Sequence, residues 1–101
     1  LKIPEHIRIG GVEYIVVETK GLNNGTQVCY GHIDYEKSII EFNPERGTGH
    51  QFKCQTLWHE ILHGIAEHAN LEIKEDEEHI IDTLAKGIYQ VLQDNGKKFF
   101  I

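Results

Sequence analysis

The chain has 101 residues, 40% of them hydrophobic and 26% charged, which suits one small domain (1–101) with a single modest core. Its net charge of −6 argues against nucleic acid as a principal partner, and no apolar run approaches the ~20 residues of a membrane span. Cys29 and Cys54 are far apart and fit no Cys-x-x-Cys metal pattern, so free thiols in a cytoplasmic protein are expected.

Residues 7–9 alternate weakly and Gly10-Gly11 makes a turn. Residues 12–19 are rich in β-branched and aromatic side chains and read as a strand, so the two segments form a hairpin. Gly21 to Gly25 is a loop. Residues 27–34 read as a further strand, Glu36-Lys37 as its turn, and residues 38–42 as the returning strand, which Asn43-Pro44 stops. That last strand is expected at a sheet edge. A polar connection, Arg46-Gly47-Thr48-Gly49, leads into a long helix over about 51–70.

Leu57, Ile61, Leu62, Ile65 and Ala69 give this helix an apolar stripe at 3.6 spacing. A second helix follows over about 76–94. Ile80, Ile81, Leu84, Ile88, Val91 and Leu92 form its buried stripe, and Asn95-Gly96 is its expected stop. The terminal segment 97–101 brings aromatics expected to dock on the core. The fold class is α+β: a small antiparallel sheet with two main helices packed on one side. No signal peptide is visible, and a chain that starts at Leu1 and lacks Met implies a removed initiator.

The first helix carries His59-Glu60-Ile61-Leu62-His63, an H-E-x-x-H pentad. Residues i and i+4 lie one above the other on a helix, so both imidazoles reach one metal ion. Glu60 is placed to hydrogen-bond a water on that ion and act as general base. Imidazole and carboxylate donors around an open tetrahedral position suit zinc. His59 and His63 lie on the flank of the apolar stripe, where ligands face a cleft. Small Gly64 and Ala66 beside them permit the close approach of another element.

A catalytic zinc site has three protein ligands. The candidates are Glu67, His68, Glu77, Glu78, His79 and Asp82. His68 falls on the opposite side of the helix and reads as a surface residue. Glu67 is better placed to bond a ligand imidazole than to bind metal. His79 points away from its stripe. Glu77 and Glu78 open the second helix, 14 and 15 residues after His63, where the helix dipole also favours carboxylates. Helical phase puts Glu77 at the centre of the buried stripe and Glu78 on its edge, and does not choose between them. Cys54 carries little weight as a ligand.

The run from Thr56 to Ile65 resembles the zinc helix of small gluzincin-type metallopeptidases of phages and prophages, similar to the ImmA/IrrE-like and SprT-like groups. The run from Glu77 to Ile88 resembles their glutamate helix, and Tyr30 to Asp34 with Ser38 to Phe42 resembles the paired strands before the zinc helix. The resemblance implies a minimal zincin-like domain and a glutamate third ligand that falls on Glu78, with Glu77 in reserve. It implies Zn2+ held by His59, His63 and Glu78, and a peptide or protein substrate. Tyr30, His32, Tyr35 and His50 are the candidates for the group that stabilises the oxyanion. The alternative is a catalytically silent zinc-binding regulatory protein that acts on one phage or host partner.

Overall fold

A computed structural model of the chain describes residues 2–46 and 49–99. The elements run β1 (His6–Ile9), β2 (Val12–Glu18), β3 (Gly31–Asp34), β4 (Ile39–Phe42), α1 (His50–His68), a 3-10 turn (Lys74–Asp76) and α2 (Glu77–Phe99). The class is α+β, with a four-stranded sheet backed by helices.

β1 and β2 form the hairpin expected across Gly10-Gly11, with Ile9 opposite Val12. Both glycines have positive φ, 58° and 81°, the pair of left-handed residues that a two-residue type I′ turn requires. Gly10 also lies against the side chain of His68; a Cβ there would sit 2.5 Å from its Cγ.

The sheet is mixed rather than antiparallel, which corrects the expected arrangement. Its order is β1-β2-β4-β3, and β4 lies parallel to β2. The reason is burial. Ile40 and Phe42 of β4 are buried, so the most apolar strand takes a central place. β3 carries His32 and Asp34 and goes to the edge. β4 is therefore interior, and the free edge expected at residues 38–42 belongs to β3.

β3 is also shorter than expected. Residues 22–29 form a side loop, bridged Asn23 to Val28, in which Asn24 Oδ1 accepts the backbone N–H groups of Thr26 and Gln27. The local asparagine bonds win over the apolar alternation of Val28 and Tyr30. Gly47 and Thr48 of the expected polar connection lie outside the described residues.

α1 packs on β1, β3 and β4; α2 packs on α1 and on no strand. The core joins Ile9, Tyr14, Ile33, Ile40 and Phe42 of the sheet to Leu57 and Ile61 of α1. Gly64 lets the helix come down on the sheet, because a Cβ there would stand 3.1 Å from the side chains of Ile33 and Ile9. The buried stripe is narrower than the periodicity predicts: Ile65, Leu84 and Val91 are exposed. A helix with one partner buries a narrow seam, here Ile81, Ala85 and Tyr89 of α2.

α1 ends at His68 and is closed by Asn70, whose φ of 52° is left-handed. Leu71 N–H donates to Ala66 C=O and Asn70 N–H to Glu67 C=O, the bonding of a Schellman cap. α2 does not stop at Asn95-Gly96, a second correction. The Asn95 side chain bonds back to Val91 C=O, and Gly96 stays helical; glycine permits a left-handed stop without imposing one. The docking expected of the terminal aromatic side chains lies outside the described residues. Among those residues, no helix is long and apolar enough to cross a membrane.

Candidate metal centre

α1 presents His59 and His63 on one face, one turn apart, and the first turn of α2 presents Glu77 and Glu78 to them. The two histidine Nε2 atoms lie 3.1 Å apart. Glu78 spans both: Oε2 is 3.2 Å from His59 Nε2 and Oε1 is 2.8 Å from His63 Nε2. One donor atom from each of His59, His63 and Glu78 lies within 4.8 Å of the others, so the group is able to hold a metal ion.

The opposite ring nitrogens face other carboxylates. His63 Nδ1 is 2.8 Å from Glu77 Oε2, and His59 Nδ1 is 3.6 Å from Asp82 Oδ1. Asp82 is in turn held by Lys86 at 2.9 Å. A carboxylate at Nδ1 retains the proton there and leaves the Nε2 lone pair for a metal. Glu77 and Asp82, both candidates for the third ligand, thus stand behind the imidazoles while Glu78 stands between them. Burial pushes the His59 pKa down, helped by His63 and opposed by Glu78 and Asp82, which favours the neutral ligating form. The donor chemistry fits a divalent ion: two neutral imidazoles, one carboxylate and an open side where Glu78 is 78% exposed.

Glu60 is 6% exposed, the most buried charged residue of the site. Gly31 makes room for it. A Cβ on Gly31 would lie 3.2 Å from Glu60 Oε2 and 2.6 Å from Thr56 Cγ2. No side chain or backbone donor among the described residues bonds the Glu60 carboxylate, yet no buried side-chain oxygen is left without a partner. Its oxygens are therefore not sealed off from the cleft. Burial first, then the charge of Glu78, pushes its pKa up to about 8.

The remaining candidates separate. His68 is exposed at its edge, as expected, but its Nε2 shares a 2.8 Å hydrogen bond with the hydroxyl of buried Tyr14, a contact that periodicity does not contain. Glu67 and His79 are exposed, and neither bonds a ligand histidine. His50 lies 3.5 Å from Cys54 Sγ, His32 is exposed on the sheet face away from α1, and Tyr30 stacks on Phe52. Tyr35, on the β3–β4 turn, is the one candidate oxyanion donor in the field of Glu60 and Glu77. Burial, followed by Glu67, Glu60, Tyr14 and Glu77, pushes its pKa up to about 12, so it remains an O–H donor at neutral pH.

Compared with known proteins, the chain matches no family model, no curated protein and no solved structure.

Proposed function

We propose that the chain is a zinc-dependent metallopeptidase of gluzincin type, with His59, His63 and Glu78 as ligands and Glu60 as general base. The observation that carries this reading is the pairing of a three-donor cluster with the buried Glu60 carboxylate beside it. When bound, a zinc ion supplies Lewis acidity to a carbonyl and lowers the pKa of a water toward ~7. Glu60 takes a proton from the attacking water and hands it to the leaving amine. Glu77 holds the His63 imidazole in the ligating tautomer, and Asp82 places a carboxylate 3.6 Å behind that of His59.

The free edge of β3 suits an extended peptide. Tyr30 C=O accepts from Asn43 N–H across the ladder. Alternation along the antiparallel pair then turns the backbone groups of Gly31 and Ile33 outward, next to Glu60. A substrate strand adding there brings its backbone past the general base.

The experiment is zinc content and hydrolysis of an unfolded protein by wild type and Glu60→Gln. The Gln variant is expected to keep one zinc per chain and lose activity by about 100-fold or more. A fully active Gln variant sinks the mechanism. The openness of the site favours one second reading, a silent metal-binding regulator, since Glu78 is largely exposed and few walls surround it. Stoichiometric zinc without cleavage of any unfolded protein selects that reading.

A further inference from the structure

Arg46, Tyr30 and Phe52 come together at the N-terminal end of β3. Tyr30 immediately precedes β3, Arg46 lies between β4 and α1, and Phe52 is in the first turn of α1. The Tyr30 and Phe52 rings lie 4.9 Å apart, tilted by 55°. The Arg46 guanidinium sits over the Tyr30 ring, 4.8 Å from its centroid, and Nη2 donates to the Tyr30 hydroxyl at 3.2 Å. Both rings are exposed, as is Arg46. Three segments of the chain thus place a cation on an aromatic floor at the surface.

That cation has no carboxylate partner among the described residues; the same holds for Arg8 and several lysines, but of these cations Arg46 is the one that lies over an aromatic ring among the described residues. Lys53 and Lys86 are paired with Glu18 and Asp82. The neighbouring Glu45 accepts from Gly21 N–H instead. Position adds the second half of the argument. Gly31, next to Tyr30, abuts the Glu60 carboxylate. Phe52 stands two helical turns before His59, about 10 Å along the axis. An extended peptide covers that distance in about three residues.

We propose that Arg46 determines specificity by capturing a peptide carboxylate about three residues from the scissile bond, with Tyr30 and Phe52 as the floor beneath it. This inference rests on the peptidase reading above. The planar guanidinium fork matches a carboxylate bidentately, and stacking on Tyr30 fixes its orientation before the peptide arrives. The contrast with the metal centre makes the preference positional. Glu77 and Asp82 place negative charge around the cleaved bond itself, whereas Arg46 accepts an acidic residue at a distance. The carboxylate is that of an Asp or Glu side chain or of a peptide C-terminus.

The test is affinity selection from randomised decapeptide pools, one end-blocked and one with free ends, on zinc-loaded Glu60→Gln protein. The expected result is about fivefold enrichment of Asp and Glu in the end-blocked pool, lost in Arg46→Ala and turned toward Lys and Arg in Arg46→Glu. Carboxylate-dependent retention confined to the free-end pool, and lost in Arg46→Ala, supports capture with the C-terminus as its source. No acidic enrichment in either pool, no peptide retained, or equal enrichment in Arg46→Ala, overturns the proposal. The two readings fail separately. Wild-type cleavage without acidic preference removes only the role of Arg46. Acidic peptides that bind and are never cut remove only the hydrolysis.

Discussion

Glu77 and Glu78 reach the same imidazole from adjacent positions, and they reach different nitrogens. Glu77 takes His63 Nδ1, while Glu78 takes Nε2 and also spans to His59. Their losses should therefore differ in kind. Glu78→Ala removes a ligand and should abolish stoichiometric zinc binding. Glu77→Ala frees one imidazole to turn and should weaken affinity by about 10- to 100-fold. Competition with a chelator of known affinity separates the two, and the reverse order would exchange their roles. The phase of α2 in the sequence leaves this choice open because both residues lie near the buried seam. The choice depends on where α1 holds His63, which is a contact between helices.

Glu60 gives a pH prediction for the metal-free protein. Its folded pKa, about 8, lies above the ordinary carboxylate value of ~4.3. The folded state therefore keeps a proton that the unfolded chain releases. The stabilisation is complete below pH ~4 and is lost as pH rises through about 8. Denaturant midpoints of the metal-free wild type should fall, relative to Glu60→Gln, between pH 5 and pH 8. Parallel curves would show that Glu60 is not buried as an acid. A carboxylate beside the two imidazoles was readable in the pentad, but its raised proton affinity was not. That shift comes from enclosure by β3 and from Glu78, both distant in sequence.

Among the elements, the approach of α1 to β3 sets the depth of the cleft. Gly31 permits it, since a methyl group there would meet Thr56 Cγ2, Glu41 C=O and Glu60. Gly31→Ala should cost about 1–3 kcal/mol by overpacking and should also reduce hydrolysis by displacing Glu60. Adding Thr56→Ser, which removes the nearest methyl, should recover part of both losses. Denaturation midpoints and rates on the single and double variants check this, and a single variant without effect would show that the contact is slack. The Gly10-Gly11 hairpin was legible because two adjacent glycines between apolar segments signal a local turn. The place of β4 was not. Periodicity describes which face of a strand is buried and is silent about which strand lies beside it. The long loop after β2 carries the chain past β4 to the far edge, so the sheet becomes mixed.

Across the molecule, the candidate ligands join two helices. Among the described residues α2 packs on α1 and on no strand, and the donor set takes His59 and His63 from one and Glu78 from the other. Bound metal would clamp a helix that the sheet does not hold. Removing it should lower the thermal midpoint, by an amount worth ~4 kcal/mol where free metal had been a thousandfold above Kd. Hydrogen exchange should rise first in the N-terminal turns of α2, with β2 and β4 keeping their protection. Uniform exchange along the chain would show that the site does not bridge the helices.

The division between what was readable and what was not follows the range of the interactions. The His59–His63 pair, the Glu60 carboxylate between them, the two helices and the first hairpin all follow from local geometry: the rise and turn of a helix, or the φ values two glycines allow. These are properties of a few consecutive residues and need no partner. The assignment of Glu78, the supporting places of Glu77 and Asp82, the exposed edge at β3 and the Arg46–Tyr30–Phe52 cluster all join segments far apart in the chain. Such contacts depend on how rigid elements pack, and packing is set by the shape and volume of every buried side chain at once.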